Sequence, residues 1–534
     1  MKKLFVTFVS LCMSLTAVHA ADFETASEAV KNMGPGWNLG NTLDANSGSA
    51  QDLTSETYWG QPVTKPELMV MMKEAGFGAI RVPVTWYNHM DKDGKVDAAW
   101  MNRVKEVVDY VLDAGLYCII NVHHDTGDGT QWLHASTTTY NSVRARYEYL
   151  WQQIAETFKD YDQKLLFESY NEMLDDNNRW NEPASNDGYT AINNYAKSFV
   201  TTVRNTGGNN KNRNLVVNDY SASSSPAAMK ALELPEESGH IVFQLHSYPN
   251  WQNESNAKKE IDNLISNIKS NMLNRAPVII GEYATFTTWP SNIDYYDTNR
   301  KVALYAIEYM VKKTKENNIG TFYWMGLTDG GDRLRLEWSQ PEIKNAILKG
   351  WYGDDYAIPA DPEAPELIYQ VSYNQSWQEL NLYYDDGAML STDEYKGIRL
   401  ELGETPAAGN LQVKVYGAVN GKEQYLPVTS ATQTFNFAPA SLSNGVKRVT
   451  LQYNKSTDYS ITVKGAWLIK KDGTETETEV NPFWGCSMEA IVVTGIRSVS
   501  GSAAAGQLYN LQGQRINEPQ HGIYIRNGKK YIIN

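Results

Sequence analysis

The sequence predicts an α/β protein: a parallel (β/α)8 TIM barrel, then an antiparallel β-sandwich and a short β-hairpin tail. Three observations predict it. Eight short apolar segments alternate with amphipathic helical stretches between Gly34 and Trp351, which is the count and size of a closed eight-fold barrel. Past Ala357 the pattern changes to short runs of period two, as expected of half-buried antiparallel strands. Between them stands Ile358-Pro359-Ala360-Asp361-Pro362-Glu363-Ala364-Pro365, a Pro- and acid-rich linker. A doubly wound open sheet is the competing topology, weakened by the lack of a Gly-rich phosphate loop after the first strand.

In order, the predicted strands are Gly36–Leu39, Ala79–Pro83, Tyr117–Val122, Leu165–Tyr170, Leu215–Asn218, Ile241–His246, Val278–Glu282 and Thr321–Met325. Helical patterns lie between them at Trp100–Ala114, Ser142–Tyr161, Tyr189–Asn205, Lys258–Asn274 and Asn299–Asn317, so the crossovers are parallel and right-handed. In the second region Lys396–Leu402, Leu411–Tyr416, Arg448–Tyr453, Tyr459–Val463 and Ala466–Ile469 alternate apolar and polar residues. The division expected is 1–20 signal peptide, 21–356 barrel, 357–365 linker, 366–494 sandwich and 495–534 tail.

The leader reading rests on Lys2 and Lys3, the apolar stretch Leu4–Val18 and the small-residue site Val18-His19-Ala20. It implies export, to the medium or the cell surface. Of three cysteines, Cys118 and Cys486 would remain after cleavage, too few for a disulfide framework. A formal charge of −14 without a basic stripe argues against nucleic acid, and no later segment is apolar enough to span a membrane. A monomer is expected.

Glu172 and Glu282 each sit just past a short apolar strand. Strands apolar throughout belong in a buried parallel sheet, whose C-terminal edge carries function. Two converging carboxylates there supply what glycosidic hydrolysis needs, a proton donor and a nucleophile or base. Arg81 interrupts an apolar strand and calls for a carboxylate partner. His123 and His124, His246 and Tyr248, and Trp324 occupy other strand ends, so all would project to one rim.

Gly36-Trp37-Asn38-Leu39-Gly40-Asn41-Thr42-Leu43-Asp44, Arg81-Val82-Pro83-Val84-Thr85-Trp86, Val122-His123-His124-Asp125, Phe167-Glu168-Ser169-Tyr170-Asn171-Glu172, His246-Ser247-Tyr248 and Gly281-Glu282-Tyr283 resemble, in order, the motif series of glycoside hydrolase family 5. Glu56-Thr57-Tyr58-Trp59-Gly60-Gln61-Pro62 is similar to its endoglucanase and xyloglucanase branch. The resemblance implies a retaining barrel enzyme acting on β-1,4-glucan, with no cofactor and no metal. Glu172 matches the acid/base and Glu282 the nucleophile. Tyr248 matches a hydroxyl donor to the nucleophile, and His246 the histidine holding the acid/base. Asn171 matches the amide for the sugar 2-hydroxyl, His123 and His124 hydroxyl donors, and Trp324 a stacking floor. Glu172 is then protonated at rest, its proton affinity raised by ionised Glu282, while Arg81 favours the charged Glu282. The alternatives are xylan or mannan as substrate, or a non-catalytic glycan-binding protein.

Glu168 reads as a buried partner of a base, not a third catalytic acid. His123, His124, Asp125 and His246 lack the ligand spacing of a metal barrel, and Asp91–Asp97 departs from a calcium loop and reads as a turn. Trp59, Trp132, Trp180, Trp251 and Trp289 fall in or near loops, where packing competes with sugar stacking. In the sandwich Tyr373, Trp377, Tyr383, Tyr384, Tyr416, Trp467 and Trp484 either fill the core or offer a sugar-binding face. Leu508–Arg515, Gly522–Ile525 and Lys529-Lys530 resemble the C-terminal sorting signals of Bacteroidetes type IX secretion, which would make the secretion machinery a partner.

Overall fold

The computed structural model describes residues 23–46, 52–127, 131–236, 239–249, 253–284, 295–359, 366–384 and 389–493, with strand segments 508–509, 515–516, 522–526 and 529–533 of the tail. The expected leader, most of the linker, Trp251 and Trp289 lie outside the described residues. The chain divides into two compact units, Met1–Pro362 and Glu363–Asn534.

In the first unit eight parallel strands close on themselves: β1 Gly36–Asn38, β2 Ala79–Val82, β3 Tyr117–Asn121, β4 Leu165–Glu168, β5 Leu215–Asn218, β6 Ile241–Ser247, β7 Val278–Tyr283 and β8 Ile319–Trp324. Each follows its predicted segment to within two residues. The five predicted helices form at Ala98–Asp113, Thr137–Thr157, Asn186–Asn205, Glu254–Ile268 and Tyr295–Glu316, each starting ahead of its apolar pattern. For the first four the reason is the cap: Asp97, Ser136, Ser185 and Asn253 accept first-turn backbone N–H groups, so the helix begins before its apolar face does.

A helix that the apolar pattern did not suggest, Ala26–Asn32, precedes β1 and is held by a Thr25/Glu28 capping box. Its Ala26, Ala29 and Val30, with Met33, pack against Ala79, Ile119, Leu166, Val216, Val242, Ile279 and Phe322. Those residues are the lower lumen of the barrel, and the helix plugs it. Two positions further along five of these strands, on the same face, stand Arg81, Asn121, Glu168, Asn218 and Gln244, all fully buried. The lumen is therefore apolar below and polar above. Outward-facing strand residues such as Ile80, Cys118, Phe167 and Phe243 join the helices in the main core. Cys118 is a buried free thiol, as its place in an apolar strand predicts, and Cys486 is also free.

Strand β7 carries an irregularity where it matters. Its register against β8 slips between Ile280 and Tyr283, and that of β6 against β7 slips between Leu245 and His246. Glu282 lies within the first slip and His246 borders the second.

The second unit is an antiparallel sandwich. One sheet runs Glu423–Pro427, Leu411–Gly417, Gly445–Tyr453, Glu379–Tyr384, Asn481–Trp484; the other runs Thr432–Asn436, Tyr395–Leu402, Tyr459–Lys470, Glu366–Tyr373, Ser487–Val493. Their inner faces contribute Leu380, Val413, Val449 and Leu451 from one sheet and Val371, Ile398, Leu400 and Val463 from the other to one core. The tail strands Leu508–Tyr509, Arg515–Ile516, Gly522–Arg526 and Lys529–Ile533 form a small antiparallel sheet of two hairpins. Among the described residues no helix is long and apolar enough to cross a membrane.

Candidate active site

Arg81 organises the C-terminal mouth of the barrel. Its five N–H donors all find acceptors. Nε donates to Glu168 Oε2 at 2.6 Å, and Nη2 donates to Glu168 Oε1 at 2.8 Å and to Asn171 Oδ1 at 2.9 Å. Nη1 donates to Asn38 Oδ1 at 2.9 Å and to Glu282 Oε1 at 2.7 Å. A cation buried at the centre of a barrel is tolerable only with such complete pairing. Glu168 is the expected carboxylate partner of a buried base. Burial opposes its ionisation, but Arg81 outweighs burial and holds it below the usual carboxylate value.

Glu282 is bracketed by donors, with Arg81 on Oε1 and the Tyr248 hydroxyl on Oε2 at 2.6 Å. His246 Nδ1 lies 2.8 Å from Glu172 Oε1 and 3.5 Å from Glu282 Oε2. One carboxylate oxygen of Glu172, one of Glu282 and a ring nitrogen of His246 thus lie within 4.8 Å of one another.

Burial raises the Glu172 carboxyl to about 7, with Glu168 adding to the rise and Arg81 opposing it. This refines the expectation that the Glu282 charge is the cause: desolvation comes first and Glu168 adds to it, while the repulsion between Glu172 and Glu282 is felt at Glu282. Glu282 is also lifted by burial, with the Glu172 carboxylate adding to the rise, against the pull of His246, Arg81 and the Tyr248 hydrogen bond. Arg81 favours its charged form as expected, yet does not outweigh desolvation. Burial lowers His246 to about 4, so at neutral pH its ring is uncharged.

A second group lies beside the first. The rings of His123 and Trp324 are parallel, with centroids 5.8 Å apart; His124 meets His123 edge-on at 4.5 Å, and Trp59 meets His124 at 5.2 Å. Asn121 joins this group to the carboxylates. Its Oδ1 accepts from Val84 N at 3.1 Å, while its Nδ2 donates to Glu168 Oε1 at 3.1 Å and lies 3.0 Å from His123 Nδ1. With the amide orientation so fixed, Nδ1 of neutral His123 accepts, and the ring proton sits on Nε2.

The structure brings all nine sequence-predicted site residues to this rim, in two contiguous groups. Asn38, Asn121, Asn218 and Gln244 were not singled out from sequence. Their signal was an amide inside an otherwise apolar strand. Asn218 donates to Glu168 Oε1 at 3.3 Å and accepts from Gln244 Nε2 at 2.9 Å. The trio Asp44, His123 and His124 also gathers metal-ligating residue types within 4.8 Å. Asn121 occupies His123 Nδ1 there, and Asp44 accepts the backbone N–H groups of Asn41 and Thr42. Asp91–Asp97 is a turn, with Asp91 Oδ1 accepting from the backbones of Asp93 and Lys95. Trp132 donates to Asp125 and lies under Arg146, a packing role, whereas Trp180 is exposed.

Residues 43–329 match the cellulase family, glycosyl hydrolase family 5. The chain is 32% identical over 380 residues to an endoglucanase A of Clostridium longisporum, covering 65% of this chain and 70% of that protein. It is 37% identical over 351 residues to an endoglucanase A of Ruminococcus albus, covering 61% and 92%. Among solved structures it is similar to a GH5-4 broad specificity endoglucanase from an uncultured bacterium, at 47% identity and a TM-score of 0.60, covering 62% of this chain and 97% of that one. A glycoside hydrolase family 5 enzyme from Prevotella bryantii B14, in complex with a xyloglucan tetradecasaccharide, is similar at 42% identity and a TM-score of 0.58, covering 62% and 99%.

Proposed function

We propose that this chain, which belongs to glycosyl hydrolase family 5, is an exported endoglucanase that cleaves β-1,4-linked glucan by retaining double displacement, with Glu172 as acid/base and Glu282 as nucleophile. Glycoside hydrolysis of the endo-β-1,4-glucanase type rests on the family and its named relatives. The finer reading rests on one observation: single oxygens of the two glutamates lie within 4.8 Å of each other. Retaining enzymes hold their carboxyls about 5–5.5 Å apart, too close for a water to attack from the opposite face.

Glu172, the carboxyl raised to about 7, donates its proton to the glycosidic oxygen. Glu282, gripped by Arg81 and Tyr248, carries the charge and attacks the anomeric carbon, giving a glycosyl ester. Once the leaving group departs, ionised Glu172 takes a proton from water, which cleaves the ester with overall retention. Because Arg81 binds the Asn171 carbonyl, the Asn171 amide N–H groups are left for the sugar 2-hydroxyl. His123 offers Nε2–H to a further hydroxyl, and Trp324 supplies a flat surface for the ring being cleaved. Xyloglucan belongs among the candidate substrates, given its place in the Prevotella complex. The leader and tail patterns support export.

Proton NMR of the first product tests the mechanism. The β-anomer is expected first; initial α-anomer, or near-normal turnover by Glu172→Gln or Glu282→Gln, sinks it.

A further inference from the structure

The sandwich sorts the seven aromatic residues that the sequence left open. Tyr373 is in its core with Tyr383 packed against it, Trp467 lies under Arg399 on one sheet, and Trp377 sits in a turn at positive φ. Tyr384, Tyr416 and Trp484 instead share the outer face of the other sheet. The register places Tyr384 and Tyr416 opposite Arg448 and Trp484 opposite Glu379. Glu379 and Asn381 alternate along their strand with the core residues Leu380 and Leu382, so they point outward.

This face combines exposed rings with a finished polar floor. Trp484 is 64% exposed, Phe483 41% and Tyr384 38%. The Arg448 guanidinium lies 3.5 Å from the Phe483 ring centroid and 3.9 Å from that of Tyr384. Glu379 is buried and accepts from Tyr416 at 2.6 Å, Thr450 at 2.9 Å and Gln452 at 2.6 Å, with Lys414 at 3.7 Å. Its charge is satisfied internally, and that of Arg448 is spent on two rings. Two groups are not satisfied: Asn381 Oδ1, on a side chain 95% buried by its 5% exposure, and Arg448 Nη1, both buried without a hydrogen-bond partner. One missing donor and one missing acceptor, flanked by flat rings without surplus charge, form the complement of a hydroxyl on a neutral pyranose.

We propose that this outer face is a second carbohydrate site, separate from the barrel cleft, which holds a neutral β-linked glucan chain. The rings of Trp484, Phe483 and Tyr384 stack on the sugars, while Asn381 Oδ1 and Arg448 Nη1 take one hydroxyl as donor and acceptor. The choice of glucan rests on the function proposed for the barrel; the neutral sugar class rests on the face alone.

The test uses the full chain in native affinity gels containing xyloglucan or hydroxyethylcellulose. Retention of Trp484→Ala/Tyr384→Ala should weaken roughly tenfold, two lost stacking contacts' worth. Asn381→Ala should weaken it without removing a ring. Turnover of a short soluble cello-oligosaccharide and the thermal unfolding profile should stay as in the parent. Glu282→Gln should lose turnover and keep retention, which separates failure of this site from failure of the barrel assignment. Unchanged retention in the ring variant, or loss of retention in Glu282→Gln, overturns the proposal.

Discussion

The Tyr248 hydroxyl donates to Glu282 Oε2 at 2.6 Å, while the other oxygen of that carboxylate is held by Arg81. A hydrogen bond to a charged acceptor contributes about 1.5–3 kcal/mol. Tyr248→Phe should therefore lower kcat/KM by roughly one to two orders of magnitude, leaving the fold intact. Steady-state kinetics on a soluble glucan, with circular dichroism as the folding control, checks this; a loss below threefold refutes the role.

The pH profile should be bell-shaped. The proposed mechanism needs Glu282 ionised and Glu172 protonated, and burial places the latter at about 7. The alkaline limb of kcat/KM is expected near that value and the acid limb below it, where Glu282 becomes protonated. Glu168→Gln removes a charge that raises Glu172, so the alkaline limb should move to lower pH.

The same carboxyl bears on stability. Its folded value, about 7, exceeds the ordinary 4.5, so the folded state binds the extra proton between these limits. Stability is lost as pH rises through that window, by up to about 3 kcal/mol in total. Glu172→Gln removes the titration. Its melting temperature relative to the parent should rise between pH 4.5 and pH 8; a difference constant with pH contradicts the assignment.

Asn121→Asp tests the tautomer of His123. A carboxylate at this position accepts, so the ring proton should move from Nε2 to Nδ1 and the proposed Nε2–H donor to the sugar should vanish. Histidine ¹⁵N shifts read the exchange directly, and KM for glucan should rise more than kcat falls. An unchanged His123 spectrum excludes the Asn121 clamp.

Arg81→Met should be the most damaging single change to the fold at the rim. It strands Glu168 and Glu282 as buried charges, a loss of about 3–5 kcal/mol measurable by urea unfolding. Adding Glu168→Gln to it should recover part of that loss.

The barrel was legible because its strands are predominantly apolar, and the rim because most of them end at or next to a polar side chain. The polar upper lumen was less visible. Asn121 and Gln244 look like interruptions of a strand until the register shows that they share a face with Arg81 and Glu168. Helix starts were misplaced where caps such as Ser136 lie outside the apolar pattern. The plug helix Ala26–Asn32 escaped notice because it is short and its small buried residues resemble the end of a leader. That desolvation leads the Glu172 shift is not legible in sequence, because it depends on what surrounds the carboxyl in three dimensions.

Gly281 has no side chain, and a methyl group there would come within 2.3 Å of Gln244 Oε1. Gln244 holds Asn218, Asn218 holds Glu168, Glu168 holds Arg81, and Arg81 holds Glu282, the residue after Gly281. The contacts form a closed circuit, so one added carbon perturbs the nucleophile twice, through its own backbone and by way of four intervening side chains. Diversification of this enzyme's substrate range has to leave that circuit alone and work in the loops above it.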